Sequence, residues 1–183
     1  MVMNFLRSLT LSDIIDILTF LSIVIGGIFA YGKWALSLKL KRSEYLNELT
    51  RMVNTDEIIN KTIYMIDYGQ LWYSESFHNN GDLEKKVDHT LSFYSYICYL
   101  RKRKVIKEPE FSFFRYDIER ALNNSQVVDY LYNLYHFTAK FKMPRFFNYL
   151  YNYSKEKKLF KSDFYDNKAW RLPGARYHHY LNF

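Results

Sequence analysis

The sequence predicts an all-helical protein, with one N-terminal transmembrane helix continuing into a cytoplasmic bundle of about five helices. Three observations predict it. The run from Ile14 to Leu38 carries no charge except Asp16 and Lys33. Downstream, apolar residues recur at the three-four spacing of buried helix faces. No stretch sustains the period-two alternation of a strand. The boundaries read as a short extracytoplasmic N-terminus (1–13), a membrane helix (14–38), a juxtamembrane helix (39–53), a helical domain (54–161) and an aromatic, basic tail (162–183).

A helix needs roughly 20 apolar residues to cross a bilayer, and Ile17 to Leu36 supplies them. Lys33 can snorkel to the headgroups, with Tyr31 and Trp34 beside it as interfacial aromatics. The N-terminal flank has only Arg7, whereas Lys39, Lys41, Arg42 and Arg51 follow the run. Positive-inside logic therefore places the protein in the inner (cytoplasmic) membrane, N-terminus out and C-terminal domain in the cytoplasm. A cleaved signal would need the basic cluster on the other side and a small-residue cleavage site after the run. A core helix packed on one face would need a polar stripe, and Ile17 to Tyr31 has none. Ser22, Gly26 and Ala30 recur every fourth residue, forming a small-residue face of the kind that lets helices approach closely in lipid.

The remaining elements follow in order. Leu36 to Met52 lacks Gly and Pro and extends the membrane helix. Asn54 and Thr55, before Asp56 and Glu57, predict a cap for a helix carrying Ile58, Ile59, Thr62, Ile63, Ile66 and Trp72. After the loop His78 to Gly81 comes an amphipathic helix with Leu83, Val87, Leu91, Tyr94, Ile97, Cys98 and Leu100 on its buried stripe. It ends in Arg101, Lys102, Arg103 and Lys104, cations suited to a helix C-terminus. Beyond the break at Pro109, Phe111 to Leu122 predicts a helix with Phe113, Phe114, Ile118, Ala121 and Leu122 inward. Ser125 is the expected cap of a helix to about Phe141, with Val127, Val128, Leu131, Leu134, Tyr135 and Thr138 as its apolar side. Pro144 fits the first turn of a last helix with Phe146, Phe147, Leu150 and Tyr151. So aromatic a tail is expected to be ordered, by wrapping the bundle, docking on the membrane interface or binding a partner.

Net charge is +7, concentrated at Lys39–Arg42, Arg101–Lys104 and Lys155–Lys161. For a tethered domain the nearest polyanion is the inner leaflet, so anionic lipid is the expected partner of Lys39, Lys41 and Arg42. Arg101, Lys102, Arg103, Lys104, Lys155, Lys157 and Lys158 are candidates for lipid or nucleic acid. Phe111, Phe113, Phe114 and Tyr116 with Arg115 could stack single-stranded bases; the alternative is a solvated helix end followed by core phenylalanines. The single cysteine, Cys98, permits no internal disulfide and suits a reducing compartment.

No H-E-x-x-H, C-x-x-C, G-x-x-x-x-G-K-[ST] or G-x-S-x-G pattern occurs. His89 follows Asp88 without the further ligands a metal-dependent phosphohydrolase requires, and His136 sits among aromatics as a packed or marginal residue. His178 and His179 lack a further metal ligand. No catalytic residue, metal or cofactor is therefore assigned.

The layout, with Leu91-Ser92-Phe93-Tyr94-Ser95-Tyr96-Ile97 as a central L-x-F-Y-x-x-I helix and Phe146-Phe147-Asn148-Tyr149-Leu150 as a late aromatic one, resembles a broad bacterial family of single-span, membrane-anchored helical proteins of unknown function. The resemblance implies no catalytic residue. Some such proteins lie beside antiviral systems, where self-assembly in the membrane impairs the cell. The expectation is a non-enzymatic membrane-anchored sensor, effector or interaction protein that self-associates through its membrane helix, with lipids, a second copy and a cytoplasmic protein as partners. The alternative is a membrane-tethered nucleic-acid-binding module.

Overall fold

The computed structural model describes residues 10–69, 71–74, 77–79 and 81–166. They form six α-helices and two short 3-10 turns, with no strand among the described residues. The helices are α1 (Leu11–Thr55), α2 (Glu57–Asp67), α3 (Gly81–Lys102), α4 (Glu108–Asn123), α5 (Ser125–Lys140) and α6 (Asn148–Lys157). The 3-10 turns are Phe77–Asn79 and Ser162–Tyr165. The fold is all-α, as the periodicity predicts.

The chain divides into two compact units, Met1–Glu48 and Leu49–Phe183. The division falls inside α1, within the stretch read from sequence as juxtamembrane. Leu49 is the one buried residue of that helix. Helix α1 is 45 residues long. It starts before Ile14 because Thr10 and Asp13 cap it reciprocally: the Asp13 carboxylate accepts from the Thr10 amide at 2.8 Å, and the Thr10 hydroxyl accepts from the Asp13 amide at 3.3 Å.

In the second unit α3 is the central helix. It packs against α2, α4, α6 and the first 3-10 turn. This corrects the narrow stripe expected for it: Thr90, Phe93 and Ser95 are buried along with Val87, Leu91, Tyr94, Ile97, Cys98 and Leu100. A helix surrounded by partners has little outer face, so a polar residue such as Thr90 must satisfy itself locally. Its hydroxyl donates to the Lys86 carbonyl at 3.0 Å.

Single residues separate two helix pairs, and each is the true cap. Asp56, rather than Asn54 or Thr55, caps α2, its Oδ1 accepting from the amides of Ile58 (2.8 Å) and Ile59 (3.1 Å). Asn124, rather than Ser125, caps α5 by accepting from Gln126 (3.0 Å) and Val127 (3.2 Å), and its Nδ2 donates to the Ile66 carbonyl at the end of α2 (3.0 Å). Both residues serve two elements at once, which a local reading of cap preference does not reveal.

Three further expectations are corrected. Phe113 is 71% exposed, and Phe111 takes the inward position with Phe114 and Ile118. That register follows from a helix beginning at Glu108, with Pro109 in its first turn where no amide is needed. Trp72 lies beyond the end of α2 and is buried from the following segment, whose Trp72 and Tyr73 amides donate to Gln126 Oε1 at 2.7 and 2.9 Å. Pro144 lies in the α5–α6 connection, and α6 begins only at Asn148.

Helices α3, α5 and α6 each stop the same way. Lys104, Lys142 and Lys158 adopt left-handed φ values of 58°, 54° and 54°. The amides of Val105, Met143 and Leu159 then reach back to the carbonyls of Leu100, Thr138 and Ser154, each at 2.9 Å. This is the Schellman arrangement, built here on lysine instead of glycine.

The described start of the tail packs on the bundle. Phe164 is buried, and its carbonyl accepts from His136 Nε2 of α5 at 2.9 Å. The Tyr165 hydroxyl pairs with Ser154 Oγ at 2.7 Å. The rest of the tail, including His178 and His179, lies outside the described residues.

Candidate membrane anchor and cationic surfaces

Helix α1 is the one helix among the described residues long and apolar enough to cross a membrane, with a mean hydropathy of 2.2 over its best 18-residue window. None of that window is buried by the chain itself. Large side chains on every face are open, for example Phe20 (66%), Ile23 (68%) and Phe29 (70%). A core helix of the chain's own fold would be covered on at least one side. Covering one such side chain is worth ~1.5–3 kcal/mol, and the described fold covers none of this apolar window.

Ser22, Gly26 and Ala30 lie along one exposed face of α1. The Ser22 hydroxyl donates to the Leu18 carbonyl at 2.8 Å, so its polarity is satisfied within the helix. A Cβ added at Gly26 or Gly27 would meet no atom within 4 Å. Those glycines are therefore not demanded by packing within this chain. At the end of the apolar run Lys39 and Lys41 are exposed and Arg42 is half-buried.

The basic runs at 101–104 and 155–158 meet because α6 packs across the end of α3, with Tyr149 against Tyr99 (4.9 Å) and Lys102 (5.8 Å) and Glu156 against Arg101. Arg101 makes the junction. Its Nη1 and Nη2 donate to the two Glu156 oxygens at 2.9 and 2.8 Å, and its Nε donates to Glu108. Arg115 binds the other Glu108 oxygen at 2.8 Å. The Arg101 guanidinium also lies over the Phe111 and Tyr153 rings, at 5.2 and 5.3 Å. With 16% of its side chain exposed, Arg101 is a structural clamp between α3, α4 and α6. Glu156 is held below the usual glutamate range chiefly by the Arg101 hydrogen bond. Lys102, Arg103, Lys104, Lys155, Lys157 and Lys158 remain exposed around this clamp. Lys157 lies 3.5 Å from Glu156. Of the proposed stacking aromatics, Phe111 and Phe114 are core and only Phe113 and Tyr116 face outward.

The three described histidines, His78, His89 and His136, hold elements together. His136 is fully buried on the second 3-10 turn. His78 Nδ1 lies 2.7 Å from Glu84 Oε1, edge-on to the Tyr73 and Phe77 rings. His89 Nε2 lies 3.0 Å from Asp56 Oδ2. Asp88 receives the Tyr130 hydroxyl, and burial raises its carboxyl above the usual range despite that bond. Burial pushes the Cys98 thiol up to about 12, leaving it protonated and poorly nucleophilic. No group of three His, Cys, Asp or Glu able to hold a metal occurs among the described residues.

Sequence reasoning passed over one surface. The last residue of α5 and the connection to α6 read Lys140-Phe141-Lys142-Met143-Pro144-Arg145-Phe146, and all seven residues are exposed. Its sequence signal is the alternation of cations with large apolar residues across the junction of two predicted helices. No family model, curated protein or solved structure matches this chain.

Proposed function

We propose that this chain is a non-enzymatic membrane-anchored interaction protein. Helix α1 spans the inner membrane with its N-terminus outside, the helical bundle works in the cytoplasm, and copies associate through the Ser22, Gly26 and Ala30 face. One observation carries the reading: an 18-residue apolar window with none of its surface covered by the chain. Lys39, Lys41 and Arg42 just beyond the run support the orientation by the positive-inside rule. Burial of apolar surface between helices offers little in lipid, so close backbone approach at small residues supplies the attraction. The nucleic-acid reading is less well supported, because its central cation, Arg101, is committed to Glu156 and Glu108.

Cell fractionation tests the anchor. The full-length protein is expected in the ultracentrifugation pellet, retained through an alkaline carbonate wash and released by detergent. Recovery in the supernatant without detergent would overturn the proposal. Protease added outside spheroplasts should leave the bundle intact; cleavage of the bundle there would reverse the orientation.

A further inference from the structure

We propose that the end of α5 and the α5–α6 connection, Lys140 to Phe146, form a second membrane contact that inserts into the anionic leaflet. The inference rests on the anchored reading above. The segment holds three cations and three large apolar side chains in alternation, without an acidic residue. Phe141, Met143 and Phe146 are 48%, 45% and 55% exposed. That composition is poorly matched to water and well matched to a bilayer interface, where cations meet lipid phosphates while the apolar groups between them enter the acyl boundary.

The backbone holds this segment in a set shape. Lys142 turns left-handed, and the Met143 amide returns to Thr138 at 2.9 Å, closing α5. Phe147, buried and also left-handed, closes the other end and starts α6. Arg145 lies over the Tyr135 ring at 4.3 Å and fixes the middle to α5. Pro144 further restricts the backbone. Such preorganisation lowers the entropic cost of insertion. Lys140 and Lys142 are exposed, the Lys140 ammonium lying 5.1 Å from the Phe141 ring centroid, so an outside anion can reach both charges. Continuity of the chain with α1 keeps the segment at high effective concentration near the leaflet. A protein partner would be expected to present a groove and acidic groups; an anionic leaflet supplies apolar depth and negative charge together.

The test uses the full chain reconstituted in vesicles, carrying Met143→Cys with an environment-sensitive fluorophore; the native thiol, Cys98, is buried. In phosphatidylcholine containing phosphatidylserine the emission should shift to the blue and be quenched by lipids brominated in their acyl chains. In phosphatidylcholine alone both effects should weaken. Lys140→Gln with Lys142→Gln should reduce the ratio of inserted to withdrawn segment about 25-fold, at about fivefold per cation. Phe146→Ser should reduce quenching without removing the dependence on anionic lipid. Vesicle-bound protein that survives alkaline wash but shows no lipid-dependent shift overturns this inference and leaves the anchor standing. A shift produced by an oligonucleotide and not by anionic lipid also overturns it. Release of the protein by the wash overturns the anchor and this inference with it.

Discussion

Asp56 uses one carboxylate oxygen to cap α2 and the other to hold His89 of α3, with Oδ2 3.0 Å from Nε2. Partial burial alone would raise this carboxyl. The hydrogen bonds from His89, Ile59 and Ile58 and the His89 charge outweigh burial and hold it below the usual range. The folded state therefore binds this proton more weakly than the unfolded chain does. Its stabilisation is complete above the unfolded carboxylate value of about 4 and is lost as pH falls through the lowered folded value. Asp56→Asn should keep the cap and flatten this acid limb, whereas Asp56→Ala should also cost about 1 kcal/mol at neutral pH. Urea unfolding across the acid range checks both; identical acid limbs in wild type and Asp56→Asn would refute the assignment.

Lysine in the left-handed region carries a Cβ penalty that glycine lacks. Lys104→Gly and Lys158→Gly should each stabilise the bundle by about 0.5–1 kcal/mol, partly offset by the greater freedom of glycine in the unfolded chain. Midpoints in urea should rise. A fall in both would show that the lysine side chains matter more than their backbone angles.

Arg101 divides its donors between Glu108 and Glu156, both about half exposed, so solvent screening limits the energy of the clamp. Arg101→Met is expected to cost about 1 kcal/mol. Arg101→Lys should restore little of that loss, because an ammonium cannot make the fork to Glu156. Full recovery by lysine would mean that charge, rather than geometry, holds the three helices.

Gly26→Ile probes the anchor without touching the bundle, since a side chain there meets nothing in its own chain. Crosslinked oligomers in membranes should disappear while the unfolding of the bundle is unchanged. Persistence of the oligomers would remove the small-residue face from the proposal.

Phe111 and Phe113 stand two residues apart with opposite fates, 0% and 71% exposed. Phe111→Ala should cost about 3–5 kcal/mol, and Phe113→Ala should stay within about 0.5 kcal/mol. Equal losses would contradict the register of α4.

That pair also marks how far the sequence could be read. Length, apolarity and charge flanks define α1 without help, because a membrane candidate is a property of consecutive residues. The helical class follows from three-four spacing, as do Ile59, Thr62 and Ile66 of α2 and Val127, Leu131, Tyr135 and Thr138 of α5, whereas burial of Tyr130, Asn133 and His136 on further sides of α5 does not. The choice of Phe111 over Phe113 turns on which face of α4 meets the bundle: Phe111, Phe114, Ile118 and Leu122 share the buried side and Phe113 falls opposite.

What the linear chain determined by itself is an all-helical protein with one exposed apolar rod and a cationic stop. Only the tertiary structure decided that α3 is the central helix, that Arg101 is a clamp rather than a free cation, and that the residues from 140 to 146 stand together in one exposed stretch. The physical reason is that burial and pairing depend on neighbours distant in sequence. Arg101 meets Glu156 across 55 positions, and no local pattern records that encounter.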